Sequence, residues 1–365
     1  MKRAILMALI ALTTTVNVIA QSIQTVDDMG NPIAYASVTN ADDGKFIGTT
    51  NLQGVIDDVK GAKKVQITHI AFKPQEVIVS KLTNGVITLH ENDYDLPEIV
   101  VEKKEYVYAQ IYYRLFCMID DTLGYYRSGI TNNIYDIEKN TVSTKYYHFS
   151  KAQMGILKFL FDTMLGKIIN QHSQLPTLEH PSATTLALEG GIPKNFSLIK
   201  ESPNRKRIDY NGTHIGYMVD DEMNHQRRIS IDNEVYSKLR IESYGSKKQK
   251  RRLEERETTT TNKKSTRYIV FHMDEGKCNV EDFVLLQVHD DYDRYDNKNH
   301  KNEHIRLWLE LFVTDRAYVT KEEAKERKKS RIPMTFESLQ QFEHQHNITP
   351  IPANTLKALK KLVEK

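Results

Sequence analysis

The stretch Val26-Asp27-Asp28-Met29-Gly30-Asn31-Pro32-Ile33, with Asn51-Leu52-Gln53-Gly54 farther on, decides how the first part of this chain folds. Asp27 precedes Gly30, and Asn51 precedes Gly54, by three residues. At that spacing the side chain can accept local backbone hydrogen bonds while Gly takes a positive φ. Around these turns, Ile33 to Val38, Val65 to Phe72, Glu76 to Val79 and Val86 to Leu89 are rich in β-branched residues and often alternate. That is the pattern of short strands. Short strands between such turns predict an antiparallel β-sandwich from Gln21 to about Val101.

The same residues carry a family resemblance. The Val26 to Ile33 segment, then Ala36-Ser37-Val38, then Gly48-Thr49-Thr50-Asn51-Leu52-Gln53-Gly54 resembles the carboxypeptidase-regulatory-like domain common in exported Bacteroidetes proteins. Val65-Gln66-Ile67-Thr68-His69-Ile70-Ala71-Phe72 and Leu96-Pro97-Glu98-Ile99-Val100-Val101 supply its later signature. The resemblance covers residues 21–101 only. It implies a prealbumin-like accessory sandwich without catalytic groups, in a protein of the cell envelope. Ile23, the Ala71-Phe72 pair and Val55 depart from the family's usual Gly, Gly-Tyr and Phe, and they keep a small or apolar residue in most places.

At the N-terminus, Lys2 and Arg3 precede the apolar run Ala4 to Leu12 and a more polar stretch ending Val18-Ile19-Ala20. This reads as a secretory signal over residues 1–20, cleaved before Gln21. Its apolar run falls short of the roughly 20 residues a spanning helix needs. With no Cys at the junction, the mature chain is expected to be soluble, in the periplasm or at the outer membrane. The chain has 51 basic and 48 acidic residues, and loss of Lys2 and Arg3 leaves 49 against 48. Such a balance gives no global attraction to nucleic acid. The only cysteines are Cys117 and Cys278, whose pairing stays open.

Residues 102–365 read as a larger α+β domain with a mainly antiparallel sheet and several helices, which makes the whole protein mainly β. A helix is expected from about Lys103 to Asp121, where Ala109, Tyr112, Tyr113, Phe116, Cys117 and Ile119 supply an apolar face. A second is expected within Lys151 to Asn170, as a core helix or one that faces lipid or a partner, followed by a long loop from Leu175 to Pro193. Strands are expected at Ile208 to Val219, Arg228 to Ile241, Thr266 to Met273, Phe283 to His289 and Ile305 to Val313. Thr320-Lys321-Glu322-Glu323 is a capping-box sequence that opens a short charged helix. Further helices are expected at Phe336 to His344 and Thr355 to Glu364.

One string has the form of a catalytic motif. His300-Lys301-Asn302-Glu303-His304 fits the H-x-x-E-H pattern of zinc peptidases, in which two His on one helical face bind zinc beside a Glu. It follows the polar run Asp290 to Asn299 and precedes a strand, so a solvated hairpin loop is the competing reading. The acidic run admits calcium on composition but lacks the Gly and terminal Glu of a helix-loop-helix site. The basic run Lys247-Lys248-Gln249-Lys250-Arg251-Arg252 reads as an exposed hairpin tip, its field offset by Glu254, Glu255 and Glu257. No phosphate loop, nucleophile elbow or zinc ribbon occurs.

The expectation is therefore an exported, non-enzymatic envelope protein with a binding or assembly role. It has no assigned catalytic, cofactor or metal residue, and its partner is an envelope protein, a glycan or a lipid. Two alternatives stand beside it: a lipid or lipoprotein carrier, suggested by the apolar segment Ile156 to Ile169 and the sheet after it, and the zinc peptidase of His300, Glu303 and His304.

Overall fold

The computed structural model describes residues 22–59, 61–82, 84–92, 105–153, 169, 173–177, 182–296, 300–332, 334–351 and 353–363. The signal over residues 1–20 lies outside them, as does most of the helix expected within Lys151 to Asn170. The chain divides into two compact units, Met1–Glu91 and Asn92–Lys365.

The first unit contains β1 (Ile23–Val26), β2 (Ser37–Asn40), β3 (Phe46–Thr49), β4 (Val55–Ile56), β5 (Lys64–His69), β6 (Phe72–Ile78) and β7 (Val86–Thr88). They form one sheet of order β4-β1-β7 and another of order β3-β2-β5-β6. The sheets meet closely: a Cβ built on Gly48 of β3 would lie 3.1 Å from Ile56 Cδ1 of β4. Ile23, Val38, Val65, Ile67, Ile87 and Leu89 are buried. Pairing is antiparallel except between β1 and β7, which run parallel. The turns behave as their sequences require. Asp27 Oδ1 accepts from the backbone N–H of Met29 at 3.0 Å and of Asn31 at 2.7 Å, and Asn51 Oδ1 accepts from Gln53 and Val55. Gly30 and Gly54 have φ of 79° and 71°. At Gly54 a Cβ would meet Thr25 O at 2.4 Å, so no other residue fits this turn without backbone movement. The strand expected from Ile33 starts only at Ser37, because Tyr35 holds φ at 67° and Ile33 O is occupied by the Thr25 and Thr50 hydroxyls.

The second unit is built on ten antiparallel strands. In chain order they are β8 (Tyr106–Ile119), β9 (Thr122–Asp136), β10 (Thr141–Gln153), β11 (Phe196–Lys200), β12 (Arg205–Tyr210), β13 (Thr213–Asp221), β14 (Gln226–Asp232), β15 (Thr260–His272), β16 (Phe283–Asp296) and β17 (Lys301–Val319). The spatial order is β10-β9-β8-β17-β16-β15-β14-β13-β12-β11. This unit therefore begins at β8, third from one edge of the sheet, and runs out to the β10 edge. It then crosses to the opposite edge at β11 and meanders back until β17 closes against β8.

Side chains alternate between two faces. Ile111, Leu115 and Cys117 of β8 share one face with Leu307, Leu309 and Leu311 of β17, and with Ile269 and Phe271 of β15 and Ile229 and Ile231 of β14 in a single apolar core. Tyr112, Arg114, Phe116, Trp308, Glu310 and Phe312 point to the other face, where they pair in register. Helix α1 (Asn233–Tyr244) joins the apolar-face core through Tyr236, Val235 and Leu239. On the opposite face, α3 (Lys321–Lys329) packs Ala324 beside Tyr108, Ile134 and Val319. There too Phe342 of α4 (Phe336–Gln345) lies 5.4 Å from the Tyr112 ring, and α5 (Ala353–Val363) packs on β9 and β10.

Five sequence expectations are corrected. Tyr106–Ile119 is a strand rather than a helix: residues on both of its faces are buried, so its apolar run has no polar side to reveal the period. Arg228 to Ile241 is a strand only to Asp232, whose side chain caps α1 by accepting from Val235 N at 3.0 Å. The basic run at Lys247 begins helix α2 (Lys247–Thr259) instead of forming a hairpin tip, with Arg251 and Glu255 paired one turn apart. The acidic run to Asp296 belongs to β16, and the loop at Leu175 to Pro193 contains a 3-10 turn at Ala183–Ala187. The Thr320 capping box forms as expected, with Thr320 Oγ1 accepting from Glu323 N and Glu323 from Thr320 N. Among the described residues no helix is long and apolar enough to cross a membrane. Cys117 and Cys278 are both free and buried, so no disulfide joins them.

Candidate functional site

The H-x-x-E-H string does not lie on a helix. His300 sits in the turn before β17 with φ of 51°, while Glu303 and His304 are successive strand residues. Strand geometry separates His300 and His304 by about 13 Å along the chain and sends Glu303 and His304 to opposite faces. Glu303 and His304 are already engaged. His304 Nδ1 lies 2.7 Å from Asp293 Oδ1 and its Nε2 lies 3.2 Å from Asp291 Oδ1. Glu303 accepts from Arg294 at 2.7 Å and lies 3.4 Å from Lys301 Nζ. The neighbouring carboxylates diverge as well, for Asp290 takes the Ser265 hydroxyl on the face opposite Asp291. Among the described residues no group of three or more His, Cys, Asp or Glu could hold a metal ion.

Farther along the same face as His304, the sheet carries an aromatic stack and then a buried ionic cluster. His289 stacks on Trp308 at 4.6 Å, and Trp308 on Phe116 at 5.0 Å. Burial first, then Arg306, Lys264 and His304, push the His289 imidazole down to about 3. In the next row, Arg114 donates from Nε to Glu310, from Nη1 to Glu343 of α4 at 3.0 Å and from Nη2 to Thr349 O at 2.6 Å. Tyr112 donates to Glu343 at 2.9 Å, and Gln287 to the second oxygen of Glu310 at 2.9 Å. Burial alone would lower the Arg114 pKa, but Glu310 and Glu343 hold it above its ordinary value. This cluster fastens the C-terminal segment to the sheet, and all of its charges are satisfied internally.

The apolar face is arranged differently. Its cover includes the connection from Gln153 to Phe196, of which Ile169, Leu175, Ala183, Leu186, Ala187 and Leu188 belong to the core. Polar contacts fasten that connection to the sheet. Thr131 donates to Ser173 O at 2.9 Å, Gln174 to the Tyr146 hydroxyl at 2.9 Å, and the Glu189 N–H to Cys278 O at 2.8 Å. Ser182 caps the 3-10 turn, so that Thr184 is presented toward β15. There Arg267 donates from Nη1 to Thr184 Oγ1 at 3.0 Å.

Arg267 lies on β15 between Ile231 of β14 and Val288 of β16, and only 8 % of it is exposed. Its Nε has no acceptor among the described residues. Burial lowers its pKa, Tyr236 and Asp290 partly oppose that, and Arg240 of α1 adds to the lowering. Arg240 is four residues after Tyr236, one turn along the same side of the helix. Tyr236 forms an aromatic trio with Phe196 and Tyr210 at ring distances of 5.6 and 5.2 Å. One end of the apolar face thus holds a buried guanidinium, a second exposed one, two hydroxyls and an aromatic wall. Nothing in the sequence marked Arg267: it is a lone cation in a β-branched run, and its surroundings come from three distant segments. No protein-family model matches this sequence, and a search of curated proteins finds no relative.

Proposed function

We propose that the chain is an exported, non-catalytic binding protein of the cell envelope, with its ligand held on the apolar face of the ten-stranded sheet beneath the connection between β10 and β11. One observation carries this reading. An apolar layer shared by most of the strands is covered, in its described part, by an irregular connection and one helix rather than by a second sheet. A second sheet would lock that layer through side chains along every strand. The described part of this cover adds six apolar side chains and a small set of polar contacts to the core, a smaller fastening than a second sheet, and it can open at lower cost. Export rests on the N-terminal signal, and the envelope setting on the resemblance of the first unit to regulatory-like sandwiches. The engaged state of Glu303 and His304 weighs against the zinc-peptidase alternative.

Fluorescence titration of the full-length mature protein with the neutral apolar dye N-phenyl-1-naphthylamine tests the reading. Saturable binding, displaced by a long-chain alcohol, is the expected result. An absence of dye binding, together with a native mass equal to that of the polypeptide alone, would sink it.

A further inference from the structure

We infer that Arg267 anchors the anionic headgroup of an acyl-chain ligand, whose tail lies along the apolar face toward Tyr236, Tyr210 and Phe196. This deepens the binding reading above and rests on it.

The argument starts from the cost of the residue. A guanidinium carries five N–H donors in a planar fork suited to a carboxylate or phosphate. Placed 92 % out of water between Ile231 and Val288, it gives up hydration, and the fold returns one hydrogen bond from Nη1 to a neutral hydroxyl. The nearest carboxylate, Asp290, makes no hydrogen bond to it and is taken by Ser265. Among the described residues the remaining charged neighbour is another cation, Arg240. A buried charge left in this state is unfavourable unless a counter-charge arrives. Elsewhere on the same sheet the buried Arg114, Arg228 and Arg306 each pair with a carboxylate, and the buried Arg316 donates to the Phe283 carbonyl. Among the described residues Arg267 has neither a carboxylate nor a backbone carbonyl within hydrogen-bond distance, and in this it differs from those four.

The ligand's chemistry follows from the two halves of the site. The aliphatic rows around Arg267 and the aromatic trio beside it suit a hydrocarbon chain. Arg267 fixes one anionic end, with Thr184 and Tyr236 as hydroxyl donors beside it. Arg240 stands where α1 reaches solvent and draws the anion in. A purely apolar ligand would leave Arg267 as costly as before. A small hydrophilic anion would gain nothing from the apolar lining.

Equilibrium dialysis of the full-length mature protein against laurate, dodecyl phosphate and dodecanol, each below its micelle concentration, tests the inference. One or both anions should bind at least tenfold tighter than dodecanol, and whichever is preferred identifies the headgroup. Arg267→Met should reduce anion affinity to the dodecanol level. Arg267→Lys should retain part of the preference, and the exposed Arg240→Gln should weaken the anions about threefold. Equal affinity for anion and alcohol in the unmodified protein overturns the inference and leaves apolar binding standing, and no variant needs to fold for that comparison. An anion preference that survives Arg267→Met also overturns it. If none of the three compounds binds, the proposed function fails with it.

Discussion

Arg114 and Arg267 sit on the same ten-stranded sheet, both buried, and their surroundings are opposite. Arg114 meets Glu310, Glu343 and the Thr349 carbonyl, and its carboxylates are held in turn by Tyr112 and Gln287. Arg267 donates to Thr184, and of the described groups near it Tyr236 and Asp290 partly offset the effect of burial while Arg240, a second cation, adds to it. The difference shows that burial of a charge does not by itself say what the charge is for. A completed cluster is a fastening between segments. An incomplete one is a place where stability has been given up, and binding is a reason to give it up.

The comparison breaks most readily at Arg114. Arg114→Met leaves Glu310 and Glu343 buried without a cation, and should cost about 3–5 kcal/mol. A urea titration of the full-length mature protein reads the loss as a lower midpoint. A midpoint within error of the parent would mean that the cluster fastens nothing.

A comparable effect is expected from acid, through His289, which stacks on Trp308 on the same face as Arg114. With its pKa pushed down to about 3 from the ordinary 6.5, the folded protein keeps this imidazole neutral while the unfolded chain protonates it first. Its contribution is present in full above about pH 6.5 and is lost as pH falls toward 3, about 3 kcal/mol of it by pH 4. His289→Phe should flatten that part of the stability-against-pH curve measured by denaturant titration. An unchanged slope would show that His289 is not held neutral.

The smallest expected change, and the one of opposite sign, is at Arg267. With no ligand present, Arg267→Met exchanges an under-paired cation for an apolar side chain, so stability should hold or rise by about 1–2 kcal/mol. Thermal unfolding of the purified protein decides it. A loss as large as that of Arg114→Met would place both arginines in the same structural role and remove the contrast.

Legibility in the sequence followed the range of the interactions. The Asp27–Gly30 and Asn51–Gly54 turns, the Thr320 capping box and the helices at Phe336 and beyond close within a few residues, and each was readable. The stretch Tyr106–Ile119 misled because a strand buried on both faces shows neither a two-residue nor a 3.6-residue period. The His300–His304 string misled differently: its letters match a helical motif, and its place at a hairpin's start makes a helix impossible.

By itself, the sequence determined the turn chemistry of the first unit, the dominance of strands, the charge balance and the helix caps, because neighbouring residues settle these. Only the tertiary structure decided that β17 closes against β8, that Arg114 finds Glu310 across 196 residues of chain, and that Arg267, among the described residues, meets a hydroxyl rather than a carboxylate. The physical reason is common to all three. The free energy of a buried charge depends on which groups surround it, and those groups reach it from strands and connections that the chain brings together only on folding.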